Sequence, residues 1–389
     1  MATVSSYTTA KGKRYRVRYR TPQGRQTDKR GFTTKAAAEA FAATVEVDKL
    51  RGAYIAPSAG RITVDALFEQ WCDEQLHLKP SSMNRYRQSW NGQVREEWGT
   101  VQVGNVDTAD VQSWVAQLSK KRSPSTVRKA HHLLSMLLDV AVRDRCIPIN
   151  PAVGVSLPRL TKNEPVFLTQ DQVFTLADNA KQGRLPVLVL GFTGLRWGEL
   201  AAMRVKRWDS ERRRLTVAES VTEIRGELSW GTPKTHAARS VPVPKFLADE
   251  LDKAVKGKGP DDLLFPARAG GVLRNKNARR DWFDAAVLAT FPPTKEPKDG
   301  EQPKPSLEVT PHDLRHTAAS IAIRSGANVK AVQRMLGHAS ASMTLDIYGH
   351  LFEDDLDDVA ARIDAGVNPQ DEDEPDEGAD VLPLRKRRA

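Results

Sequence analysis

The chain has 389 residues, 59 of them Lys or Arg against 49 Asp or Glu, for a formal net charge of +10. That length holds two or three domains with sizeable cores, and the cationic surplus favours a polyanionic partner. There is no run of about 18 apolar residues and no apolar signal segment at the N-terminus, so the sequence predicts neither a membrane-spanning nor a secreted protein. Cys72 and Cys146 lack Cys-x-x-Cys spacing and read as buried, reduced thiols in apolar helical surroundings of a cytosolic protein.

The first segment runs to about residue 57. Residues 1–35 carry ten Lys or Arg against one acid, Asp28. A basic head of this density is an electrostatic footprint for nucleic acid. Tyr15, Val17 and Tyr19 alternate with Arg14, Arg16, Arg18 and Arg20, the period of a strand with one apolar and one cationic face. A turn at Thr21–Gly24 and a return strand to Phe32 follow. Thr33 or Thr34 then caps a helix over 35–50. The expectation is a small α+β domain, a three-stranded sheet plus one helix, whose arginine face can enter a DNA groove.

The second segment, 61–157, reads as an all-helical bundle. Leu67, Phe68 and Trp71 mark its first helix, Pro80 opens the second, Asp107 or Thr108 the third, and Ser123-Pro-Ser-Thr the fourth. Lys120, Lys121, Arg122, Arg128 and Lys129 give the fourth helix a basic face. His131 and His132 read as surface or satisfied core groups.

The third segment, 164–364, mixes helices with a small antiparallel sheet. Thr169-Gln-Asp-Gln172 is a capping box. An apolar helix over 185–193 feeds Gly194 and then Arg196. Residues 214–221 and 226–243 pattern as strands, with Lys234 in or beside their turn. Residues 292–305 hold five prolines and read as a mobile loop. Thr310-Pro311 predicts a helix start that places His312 and Arg315 on one face. From Asp371 the acidic stretch and the final Arg385–Arg388 form a charged tail, and 365–389 is expected to be disordered.

Tyr348 is the only tyrosine after Tyr86. Around it the sequence supplies His312-Asp-Leu-Arg315, Gly337-His338, Arg196 and Lys234. A phosphodiester resists attack, and catalysis needs cations around its non-bridging oxygens. Arginine suits this role because its planar fork donates bidentately and stays charged. A phenol with an unperturbed pKa of about 10 needs either lowering by the arginines or a base such as His312. His316 and His350 read as structural. There is no phosphate-loop motif and no zinc spacing, so no cofactor is expected, and covalent chemistry would need neither ATP nor metal.

In order and spacing these motifs resemble the tyrosine recombinase family, in particular phage-type integrases with an N-terminal arm-binding domain. The resemblance rests on Gly-Leu-Arg196-Trp-Gly-Glu-Leu, Thr-Pro-Lys234-Thr-His-Ala-Ala-Arg, His312-Asp-Leu-Arg315-His-Thr, Leu-Gly-His338 and Ile-Tyr348-Gly-His. It implies a site-specific recombinase in which Arg196 and Arg315 bind the scissile phosphate and Lys234 acts as leaving-group acid. His312 and His338 would serve proton transfer and phosphate binding, and Tyr348 would form a 3′-phosphotyrosine.

The same resemblance implies that 1–57 reads arm-type DNA sites and that 61–157 is a core-binding domain. Residues 164–364 would be catalytic, acting in a homo-tetramer on double-stranded DNA. Leu351 and Phe352 are then candidate anchors on a neighbouring protomer, with local packing the equal alternative. The expected setting is the cytoplasm of a bacterial host, at the nucleoid, with a host DNA-bending protein and a directionality factor as open accessory partners. Three alternatives remain: a conjugative-transposon recombinase, a type IB topoisomerase-like enzyme, and a non-catalytic DNA-binding factor.

Overall fold

A computed structural model describes residues 2–10, 12–22, 24–56, 58–160, 164–233, 238–296 and 302–352, with 360 and 363. Two compact units divide the chain at 163/164. No helix among the described residues is long and apolar enough to cross a membrane.

The first unit begins with an antiparallel sheet in the order β1 (Thr3–Thr9), β2 (Gly12–Arg20), β3 (Gln26–Phe32). Alternation along β2 decides which face is which. Val17 and Tyr19 are buried with Ala38, Ala42 and Val45 of helix α1 (Lys35–Leu50), which Thr34 caps. On the opposite side Arg14 and Arg16 are partly covered and Arg18 and Arg20 are exposed. Register makes this face a charged one across two strands, with Arg16 opposite Arg30 and Arg18 opposite Asp28. The Arg16 Nε donates to Ser5 Oγ at 3.1 Å, and Arg30 pairs with Asp28 at 2.7 Å. Between Tyr15 and Arg16 the β2–β3 register slips by one residue. The resulting bulge sharpens the local twist of the ribbon.

The helical part of the unit comprises α2 (Val64–Glu74), α3 (Pro80–Ser89), a π-helical turn over Trp90–Val94, α4 (Arg95–Trp98), α5 (Thr108–Ser119) and α6 (Pro124–Arg143). Side chains of Thr63, Asp107 and Ser123 cap α2, α5 and α6, and Pro124 stands at the first turn of α6. Leu133, Leu134, Leu137 and Leu138 are fully buried along one stripe of α6, each contributing about 1.5–3 kcal/mol. The Phe68 and Trp90 rings stack at 4.4 Å. His131 is a satisfied core group whose Nε2 meets the Ala152 carbonyl at 3.0 Å. Lys121, Arg122 and Lys129 are exposed, whereas Arg128 donates to the Pro158 carbonyl at 2.9 Å and so helps fix the chain that leaves the bundle. Cys72 is buried in α2. Cys146 is only partly covered and follows the end of α6, because the helix stops at Arg143.

The second unit opens with α7 (Gln170–Asn179), whose capping box forms as predicted, and α8 (Arg184–Thr193). Then come α9 (Trp197–Ala201), β4 (Trp208–Asp209), β5 (Arg214–Val217), β6 (Ser220–Ile224), β7 (Glu227–Gly231), β8 (Arg239–Pro242) and α10 (Lys245–Val255). After these lie α11 (Asn275–Ala278), a π-helical turn over Arg279–Phe283, and α12 (Asp284–Thr290). Last come α13 (Asp313–Arg324), α14 (Val329–Leu336) and α15 (Ala341–Tyr348).

Two local expectations change. Residues 214–221 are not one strand: β5 pairs with β4 and β8, while β6 forms a separate hairpin with β7. Arg225 and Gly226, both at positive φ, turn that hairpin. The segment of Lys234 instead connects β7 to β8, and residues 234–237 lie outside the described residues. The helix expected from Pro311 starts two residues later, at Asp313, whose carboxylate accepts both the backbone N–H and the hydroxyl of Thr310. At the foot of the 292–305 loop, the Ser306 N–H donates to the Phe291 carbonyl at 3.0 Å. Part of that loop, 297–301, and the tail 365–389 also lie outside the described residues.

Candidate active site

Four segments of the second unit converge on one group of charges. The apolar α8 ends at Gly194, in the left-handed conformation at φ 67°, which turns the chain sharply into Arg196. An alanine there would place its Cβ 2.6 Å from Leu336 Cδ2, so the turn also permits close packing on α14. The Gly194 carbonyl accepts from Arg315 Nη1, and Arg315 Nη2 donates to the Leu336 carbonyl at 2.6 Å. Arg315, 3% exposed, is thus fixed by two backbone oxygens rather than by a carboxylate. Burial and the cations Arg196 and Arg239 push its pKa down to about 9. It stays charged at neutral pH, in a place where an arriving anion is strongly favoured.

A second network adjoins it. Glu199, 1% exposed, accepts from Arg239 Nη1 at 2.9 Å and Nη2 at 2.6 Å, from the Arg196 N–H at 2.9 Å and from Arg196 Nη1 at 2.9 Å. Burial alone would raise the Glu199 carboxyl, but Arg239 and Arg196 outweigh it and hold the group below the usual carboxylate range. Arg239 Nε also donates to the Met335 carbonyl at 3.0 Å. Arg239 and Arg315 therefore occupy successive carbonyls at the C-terminal end of α14, where the helix dipole favours cations. Gly337 follows at φ 67°, and a Cβ there would lie 2.9 Å from Arg239 Cδ. This turn delivers His338, whose Nδ1 meets the buried Thr344 hydroxyl at 3.0 Å. Burial, then Arg315 and Arg196, push the His338 imidazole down to about 4.

Tyr348 ends α15 fully enclosed, in a cluster with Ala319, Ile323, Val332 and Leu336 against which Phe167, Leu351 and Phe352 pack. The last two are thus engaged locally within this chain. The Tyr348 ring lies parallel to His338 at 6.4 Å, and its hydroxyl meets His316 Nδ1 at 2.8 Å. Burial pushes the phenol up to about 12, against the lowering influence of Arg315. The expected base, His312, is exposed and stands one ring further out, edge-on to His316 at 5.1 Å.

Of the six residues singled out from sequence, Arg196, Arg315, His338 and Tyr348 are thus drawn into one neighbourhood. His312 lies at its rim, and Lys234 falls outside the described residues. Sequence reasoning passed over Glu199 and Arg239 and read His316 as structural, although all three stand inside the quoted motifs. A single sequence does not distinguish a buried, paired charge from a solvated one.

Residues 166–354 match the phage integrase family. This stretch is a phage integrase domain of the tyrosine recombinase kind. Integrase of Mycobacterium phage D29 is 26% identical over 297 residues, covering 74% of this chain and 75% of the relative. Two solved recombinases share the multidomain fold. The Tn1549 transposon integrase in complex with a circular intermediate DNA has a TM-score of 0.64 at 21% identity, covering 78% of this chain and 99% of that one. A lambda integrase tetramer bound to a Holliday junction has a TM-score of 0.58 at 17% identity, covering 86% and 96%. A tyrosine recombinase cuts and rejoins DNA, and the guanidinium-lined site beside a lone phenol has the charge that such chemistry requires.

Proposed function

We propose that the protein is a site-specific integrase that cleaves and rejoins double-stranded DNA through a covalent 3′-phosphotyrosine on Tyr348. The observation that carries this reading is the placement of the Tyr348 phenol beside His338, in the field of the buried Arg315 cation. In this mechanism Arg196 and Arg315 neutralise the two non-bridging oxygens as charge builds on them. His338, its Nδ1 committed to Thr344, offers Nε2 to the same phosphate. Tyr348 Oη attacks phosphorus, the P–O5′ bond breaks, and Lys234 gives a proton to the departing 5′ oxygen. His312, at the rim, serves phosphate binding. The reverse attack by a 5′-hydroxyl restores the DNA and the free phenol.

The basic face of the N-terminal sheet, with Arg14, Arg16, Arg18 and Arg20, would read arm-type sites. Exposed Lys121, Arg122 and Lys129 would meet core-site phosphates, with Arg128 supporting them through its bond to Pro158. Assembly as a homo-tetramer on DNA, at the nucleoid of a bacterial host, completes this reading. The lambda integrase tetramer supports it by likeness of fold.

The test is incubation with a nicked core-type duplex in EDTA, without ATP. A covalent adduct on the 3′ phosphate is expected from the wild type and none from Tyr348→Phe; an adduct that persists in the variant would remove Tyr348 as nucleophile. A conjugative-transposon recombinase is the second reading, favoured by the likeness to the Tn1549 enzyme. Recombination of phage-type attachment sites versus a transposon circle junction separates the two.

A further inference from the structure

Once Tyr348 is the nucleophile, its proton needs a destination, and among the described residues three histidines stand near enough to be considered, His312, His316 and His338. His338 is tied through Nδ1 to Thr344 and lies parallel to the phenol ring at 6.4 Å between centroids. His312 is exposed and packs on His316. His316 is the histidine whose ring nitrogen meets the reacting oxygen, at 2.8 Å. This is the hydrogen-bond reach that general-base catalysis requires.

We infer that His316, through Nδ1, is the catalytic base that takes the Tyr348 proton during cleavage and returns it during rejoining; the inference rests on Tyr348 being the nucleophile. In the forward step Oη–H breaks as Oη–P forms, the proton passes to Nδ1, and the 5′ oxygen leaves with the proton from its own acid. In the reverse step the 5′-hydroxyl gives its proton back to that acid as O5′–P forms, the Oη–P bond breaks, and Nδ1 returns its proton to Oη. Charge is conserved at each stage, and no further reactant is needed.

The surroundings suit this cycle. The resting acceptor must be neutral, with hydrogen on Nε2. Burial, followed by His312 and Arg315, keeps the imidazole below its ordinary pKa, with Asp313 acting the other way. The groups facing His316 are His312, Asp313 and Arg315 from the start of α13, Tyr348 from α15 and His338 from the turn after α14. A scissile phosphate entering beside Arg315 adds the negative charge that stabilises a transient imidazolium.

The same hydrogen bond could instead be a latch that holds a buried phenol away from DNA. The two roles predict opposite signs, because loss of a latch speeds cleavage and loss of a base slows it. His316→Asn retains an acceptor near the Nδ1 position but cannot take up a proton. The experiment measures single-turnover cleavage of a core-type duplex carrying a 5′-bridging sulfur, which leaves without an acid. Core-DNA affinity and thermal unfolding are measured in parallel.

The expected result is a loss of about 100-fold at unchanged affinity, not rescued by sulfur, with the variant's rate rising towards high pH. Cleavage within threefold of wild type, faster cleavage, or rescue by sulfur would each overturn the inference. If His316→Asn does not fold, the wild type carries the test. Its cleavage rate must fall at low pH in step with the His316 protonation followed by NMR, and a rate independent of that titration overturns the assignment. Absence of an adduct at Tyr348 in the wild type would instead sink the underlying assignment of the nucleophile, so the two failures are distinguishable.

Discussion

His338 combines two demands, since it must lie close to three arginines and still be able to meet an anion. Burial, Arg315 and Arg196 hold its pKa near 4, below the value of about 6.5 expected in the unfolded chain. Between those values the unfolded chain binds more protons, so stability falls as pH drops from about 6.5 to about 4. The depressed His316 adds to this fall. In His338→Gln, urea unfolding at pH 7.5 and pH 5 should show a shallower decline than in wild type; equal declines would contradict the assignment. A phosphate in the site should favour the protonated ring, so core-DNA binding by wild type should take up protons and tighten as pH falls through this window. Calorimetry in buffers of different ionisation enthalpy reads that uptake directly.

At the scale of elements, the C-terminal end of α14 organises the site, because its last carbonyls hold Arg239 and Arg315 and its left-handed cap delivers His338. Gly337→Ala should therefore be costly in two ways. A left-handed non-glycine residue costs roughly 1–3 kcal/mol, and the new Cβ would press on Arg239 Cδ, which Glu199 and Met335 prevent from yielding. A loss of about 2 kcal/mol by chemical denaturation is expected, with slower cleavage in the folded fraction. A variant as stable and active as wild type would show that this contact is not a constraint.

Much at this scale was legible beforehand. The caps Thr34, Asp107, Ser123 and Thr169 announce their helices, and alternation along β2 separates its faces, because these signals are local. The break between β5 and β6 was not legible, since one run of β-prone residues can serve two sheets and only pairing partners decide where it divides.

For the whole molecule, the charge is uneven, since residues 1–35 carry ten Lys or Arg against one acid, and the two-site proposal assigns that end to arm-type DNA. Deleting residues 1–57 should abolish binding to arm-type DNA and spare cleavage of a core-only duplex. Loss of core cleavage in a folded deletion variant would contradict the two-site reading. Replacing Arg18 with alanine should lower the salt dependence of arm-site binding by about one unit of slope if it meets a phosphate. An unchanged slope would remove Arg18 from that contact.

The sequence by itself determined the nucleophile candidate, the phosphate-binding residue types, the basic head and most helix starts. These follow from residue chemistry and short-range periodicity. Only the tertiary structure decided that Arg315 is held by backbone oxygens, that Glu199 joins Arg196 to Arg239, and that His316 rather than His312 meets the phenol. Those relations join residues far apart in the chain or on neighbouring turns of a helix. The choice among them is made by burial and packing, which leave no local mark in the order of amino acids.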